Sequence, residues 1–107
     1  MRTTRTMTLQ QLYSDETNWT KGTFARIKTT QQRIPYIDIK SNKRSSCCYC
    51  LLGGINRCYP RENRQIIENV LTRWIQNNTK HPNIPMFNDD PETTIADIQN
   101  LVKECNV

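Results

Sequence analysis

A chain of 107 residues makes one domain at most and buries roughly two thirds of its unfolded surface at best. Only 36% of its residues are hydrophobic and its net charge is +5, which excludes a large apolar core. A membrane span is excluded too, because the longest apolar stretch, residues 47–55, is interrupted at Gly53 and Gly54.

Residues 1–8 read as a frayed tail whose positive charge is followed by no apolar segment, so no secretory signal is expected. Leu9, Leu12 and Tyr13 predict one helical turn ending near Ser14 and Asp15. Residues 23–28 and 34–40 are strand-like; in the second, Ile37 and Ile39 alternate with Tyr36, Asp38 and Lys40 at the period of a half-buried strand. Pro35 places any such strand at a sheet edge. Residues 41–46 form a polar, basic linker into a cysteine cluster. The expected organisation is a basic, weakly structured region 1–46, a cysteine-rich connector 47–59 and a helical hairpin domain 60–107.

In the last part, Ile66, Ile67, Val70, Leu71, Trp74 and Ile75 recur at three- and four-residue intervals, one apolar stripe on a helix of about four turns. Pro60 fits its first turn, and His81, Pro82 and Pro85 prevent its continuation. A second helix is predicted from Asp90 as N-cap, Pro91 at the first helical position and Glu92 beside the positive end of the helix dipole. Its apolar positions are Ile95, Ile98, Leu101, Val102 and Cys105. The predicted fold is mainly α: a C-terminal antiparallel helical hairpin with Trp74 as the largest piece of core, and an irregular N-terminal half with short strand-like segments.

Charge is distributed asymmetrically, with twelve Lys/Arg against four Asp/Glu in residues 1–64 and three against six in residues 65–107. A basic field of this kind attracts polyanions, of which nucleic acid is the commonest inside a cell; the plain alternative is a solvated basic surface. Five cysteines are an odd number, and three crowd into Cys47, Cys48 and Cys50. Adjacent cysteines staple distant loops poorly, so an intracellular, reducing compartment is expected. Cys47 and Cys50 form a Cys-x-x-Cys pair, and Cys58 with His81 or Cys105 would complete a tetrahedral zinc set. Without a second closely spaced pair, free thiols packed beside Leu51 and Leu52 are the alternative. One histidine, no phosphate-cradling glycine loop and no carboxylate pair beyond Asp89 and Asp90, attributed to helix capping, lead to the expectation that the protein is not an enzyme.

The run from Val70 to Pro82, VLTRWIQNNTKHP, resembles the first helix and following turn of atypical homeodomains of the fungal mating-type regulators. Leu71, Trp74 and Pro82 match residue by residue, and residues 99–107 resemble the end of the second helix. The link between Pro82 and Pro91 is longer than in that family, and the third helix, with its Trp-Phe-x-Asn-x-Arg pattern, is absent. The resemblance, with the charge, implies a nuclear, DNA-associated transcriptional regulator of the truncated mating-type homeodomain kind, acting with a protein partner. Lys43, Arg44, Arg57, Arg61 and Arg64 would touch phosphates or the minor groove. Leu71, Trp74, Ile75, Ile98 and Leu101 would form the core or partner face, and no cofactor is implied. The alternative is a small zinc-stabilised protein-interaction module without DNA binding, with Cys47, Cys50, Cys58 and His81 as ligands.

Overall fold

The computed structural model describes residues 7–107, so most of the expected frayed tail lies outside the described residues. The fold is mainly helical, with a small antiparallel sheet. Helix α1, Leu9–Leu12, is the predicted turn, closed by a capping box in which Thr8 and Gln11 satisfy each other's backbone amides. Its Leu9 and Leu12, and the following Tyr13, are fully buried.

Strand β1, Ala25–Ile27, is central between β2, Arg33–Ile34, and β3, Cys47–Tyr49, with Ala25 opposite both Ile34 and Tyr49. Strand β2 is an edge and stops at Pro35, as the missing amide requires. The predicted strand over 34–40 is corrected: residues Tyr36–Ser41 form a 3-10 helix. At three residues per turn Tyr36 and Ile39 share a face, so Ile39 is fully buried while Ile37 is 88% exposed. A strand would have put both isoleucines on one side.

The expected connector 47–59 is instead β3 followed by helix α2, Leu51–Cys58. Its glycine pair lowers local helix propensity, yet the helix contributes Leu51, Ile55 and Cys58 to the core. Packing overrides propensity here because α2 lies against α1 and the residue leading into β1: a Cβ on Gly53 would meet the Phe24 carbonyl, and one on Gly54 the Tyr13 hydroxyl.

Helix α3, Arg61–Asn78, buries Leu71 and Ile75, half-buries Ile67 and Trp74, and leaves Ile66 and Val70 exposed. Trp74 is therefore not the largest piece of core; the fully buried Tyr13 and Tyr49 are. The interval read as a long loop contains helix α4, Ile84–Asp89, capped by Asn83, whose side chain accepts from the Met86 amide. The next helix, α5, is Ile95–Cys105 and starts later than predicted. Its N-cap is Thr94, in a capping box with Asp97, whereas Asp90 accepts from the Glu92 amide in the turn ahead of it. Ile98, Leu101 and Val102 are buried, and Asn106 ends the helix in the left-handed conformation.

Helix α3 packs on α5, and α4 contacts both α3 and α2. One hydrophobic cluster runs across both expected boundaries, joining Leu9, Leu12, Ile34 and Ile39 to Leu71, Ile75, Ile98 and Leu101. The backbone closes in the same sense, since Leu9 N donates to Val107 O at 2.7 Å and the Tyr59 hydroxyl donates to that carbonyl too. No helix among the described residues is long and apolar enough to cross a membrane.

Candidate functional site

The 3-10 helix over 36–41, the C-terminal end of α2 and the first turns of α3 bring basic side chains from three stretches of sequence together. Lys40, Arg61 and Arg64 line one groove with Tyr36, Asn56 and Glu68. The charges of Arg57, Arg44 and Lys40 all reach the Cys58 thiol. Partial burial, then the positive charges of Arg64 and Arg57, hold the Lys40 ammonium below its ordinary pKa, with the Glu62 carboxylate opposing. Among the described residues the sole ion pair is His81 with Asp90, so none of these five cations has a carboxylate within ion-pair distance.

Of the expected set, Arg44, Arg57, Arg61 and Arg64 thus fall on this face, and Lys43 stands at the N-cap of the short turn Arg44–Ser46. Lys40 belongs with them but stood in sequence only as one cation among many; it is the 3-10 turn that delivers it. Arg64 is oriented by donation from its Nε to the Tyr59 carbonyl at 3.1 Å. Arg57 is half-buried beside Tyr49, and among the described residues neither its Nε nor the Tyr49 hydroxyl meets the geometry of a hydrogen bond.

The cysteines are free, and all but Cys105 are buried. The Cys50 sulfur caps α2, accepting from the Gly53 amide at 3.4 Å. His81 is engaged elsewhere, its Nε2 lying 2.9 Å from Asp90 Oδ2 and its ring edge-on to Phe87. Among the described residues no three His, Cys, Asp or Glu side chains converge to hold a metal ion, so Cys47, Cys50, Cys58 and His81 are not gathered into one set. Of the core set, Leu71, Ile75, Ile98 and Leu101 are buried, with Trp74 at the border.

Burial pushes the Cys58 thiol from near 9 up to about 11, against the pull of Arg57, Arg44 and Lys40. Burial, with Cys47 beside it, pushes the Tyr49 hydroxyl from near 10 to about 12, Arg57 opposing. Both groups stay protonated in the folded chain after their unfolded counterparts have ionised. Their contribution to stability is therefore complete below about pH 8.5 and is lost as pH rises toward 11 and 12. Thermal melts should show a level Tm to about pH 8 and a progressive fall above it. In Cys58→Ala that fall should be shallower between about pH 9 and 11; an identical pH profile for the two proteins would refute the assignment.

Residues 7–106 match the model of a protein family described as Family of unknown function (DUF6197). No curated protein and no solved structure matches the chain.

Proposed function

Since the chain belongs to that family of unknown function, we propose from its basic face that it is a nuclear, DNA-associated regulatory protein that holds nucleic acid through phosphate contacts and acts with a protein partner. The observation that supports this is the gathering of Lys40, Arg44, Arg57, Arg61 and Arg64 on one side with no carboxylate in ion-pair reach among the described residues. Like charges held together destabilise the free protein through mutual repulsion, and a polyanion relieves that repulsion on binding. The homeodomain likeness enters the proposal as a reading of α3 and α5 as the hairpin of the first two helices. In its favour are the buried Leu71, the half-buried Trp74 and the packing of α3 on α5; against it stands α4, inserted between them. Phosphate contact rather than base reading is the part that the basic face supports.

Arg61 and Arg64 are the residues to change, because Arg57 has a half-buried side chain whose loss would disturb Tyr49. Fluorescence anisotropy with a mixed-sequence DNA duplex should show binding that weakens steeply between about 50 and 200 mM salt. Arg61→Ala/Arg64→Ala should weaken it about tenfold at about 100 mM salt and reduce the slope of log K against log salt by about 2, since each neutralised phosphate accounts for roughly 0.9 of that slope. Binding that is absent at low salt, or indifferent to both changes, would remove the proposal.

A further inference from the structure

Beside Cys50 lies a cavity of about 220 Å³, built by three separate segments. Phe24, Leu52, Ile84 and Pro85 make its walls, and Cys50 and Asp89 supply its polar end. Its frame is held by Asn88, which is 1% exposed. The Asn88 side-chain oxygen accepts from Trp19 Nε1 at 2.9 Å and from the Leu51 amide at 3.0 Å. Its nitrogen donates to the Thr20 carbonyl at 3.1 Å and to Asp89 Oδ1 at 2.9 Å. One side chain thereby ties the Trp19–Phe24 loop, the start of α2 and the end of α4 into a preformed frame.

Asp89 Oδ1 also accepts from the Gly22 amide at 3.0 Å, which fixes the carboxylate at the cavity rim. Its second oxygen takes part in no hydrogen bond or ion pair among the described residues. The neighbouring cation, Lys21, is turned to the Asp90 carbonyl at 2.5 Å and over the Trp19 ring. The cavity is therefore apolar along its length and negatively charged at one end. Burial first, and the Asp89 charge among the further causes, raise the pKa of the Cys50 thiol, so the sulfur lining the cavity is a neutral thiol and not a competing anion.

We propose that this cavity binds a small amine, an ammonium group on a short apolar stem, with Asp89 as its counter-ion. The volume sets the size, since about 220 Å³ falls below the roughly 300 Å³ at which drug-sized pockets begin. A single aromatic ring with a two-carbon arm is the scale that fits. The rim carboxylate sets the sign: a cation beside the exposed Asp89 gains a solvent-screened ion pair, whereas a carboxylate there meets like charge. This site is separate from the basic face and stands or falls independently of nucleic-acid binding.

Phenethylammonium, 2-phenylethanol and phenylacetate share one shape and differ in charge, so they serve as probes. Titration of the full chain, followed by amide shifts in two-dimensional NMR, should show saturable shifts at Gly22, Leu52 and Asp89 with phenethylammonium, with a Kd of about 1 mM for so small a ligand. The alcohol should bind about threefold more weakly, and phenylacetate should give no saturable shift. Asp89→Asn keeps an oxygen to accept from the Gly22 amide while removing the charge, and should weaken phenethylammonium about threefold and leave the alcohol unchanged. Leu52→Trp, which fills the cavity without touching the carboxylate, should abolish both; it also keeps the test decisive if Asp89→Asn unfolds. Equal binding of ammonium and alcohol, ammonium binding unchanged in either variant, or no saturation with any probe would overturn the proposal.

Discussion

Gly53→Ala should destabilise the folded chain by at least about 3 kcal/mol. Glycine is the worst non-proline helix former, and on propensity alone alanine inside α2 would gain roughly 1 kcal/mol. The opposite sign is expected because a Cβ at Gly53 would stand 2.0 Å from the Phe24 carbonyl oxygen and 2.9 Å from its carbon. Those atoms are backbone, and the oxygen is held by the Cys50 amide at 3.1 Å. No rotamer change relieves the clash, so α2 must move off the strand. That movement breaks the hydrogen bond from the Cys50 amide to the Phe24 carbonyl and disturbs the Ala25 to Tyr49 pairing beside it. Overpacking with room to adjust costs about 1–3 kcal/mol, and here there is none. Urea unfolding should place Gly53→Ala well below Gly54→Ala, whose new methyl meets the Tyr13 hydroxyl at 2.5 Å and the Leu12 and Leu9 side-chain ends at 3.2 Å. A Gly53→Ala protein within about 1 kcal/mol of the parent would show that α2 does not sit against the Phe24 carbonyl.

Asn88→Ala should be comparably severe. It removes four hydrogen bonds at once and leaves the Trp19 indole N–H, the Leu51 amide and the Thr20 carbonyl without their side-chain partner. A buried polar group left unmatched costs about 1–3 kcal/mol. Shared relaxation keeps the total below the sum, at about 3–5 kcal/mol, which is a large part of the roughly 5–15 kcal/mol of a small domain. Thermal melts should show Tm falling by more than about 10 °C. Asn88→Asp separates the donor from the acceptor role. It keeps the oxygen facing Trp19 and Leu51 but loses the donation to Thr20 and sets a second carboxylate against Asp89. Its loss of stability should lessen as pH falls and the buried acid takes a proton. If Asn88→Ala melts within about 3 °C of the parent, Asn88 is not what joins these three segments.

The two helices with an apolar period were legible in the sequence, because a stripe such as Leu71 and Ile75, or Ile98, Leu101 and Val102, is a local pattern that any burying surface satisfies. So was the turn at Leu9, Leu12 and Tyr13, set by neighbouring residues. Their limits were not: Asp90 and Thr94 are both good caps, and the choice of Thr94 falls where Asp97 can return its bond while Asp90 is held by His81 and the Glu92 amide. Helix α2 was hidden because its glycines lower local helix propensity, and their purpose is close approach to Phe24 and Tyr13, residues far away in sequence. The candidate sites were hidden in the same way. Arg44, Arg57, Arg61 and Arg64 were visible as cations, but that Lys40 joins them, and that no carboxylate among the described residues reaches them, depends on how the 3-10 turn meets α2 and α3. Asn88 and Asp89 sit in a stretch with no apolar period, and their partners Trp19, Thr20 and Gly22 lie 69, 68 and 67 residues earlier. Periodicity encodes which side of a segment is buried; which distant segment it is buried against is settled by the long-range packing and hydrogen bonds of the assembled chain.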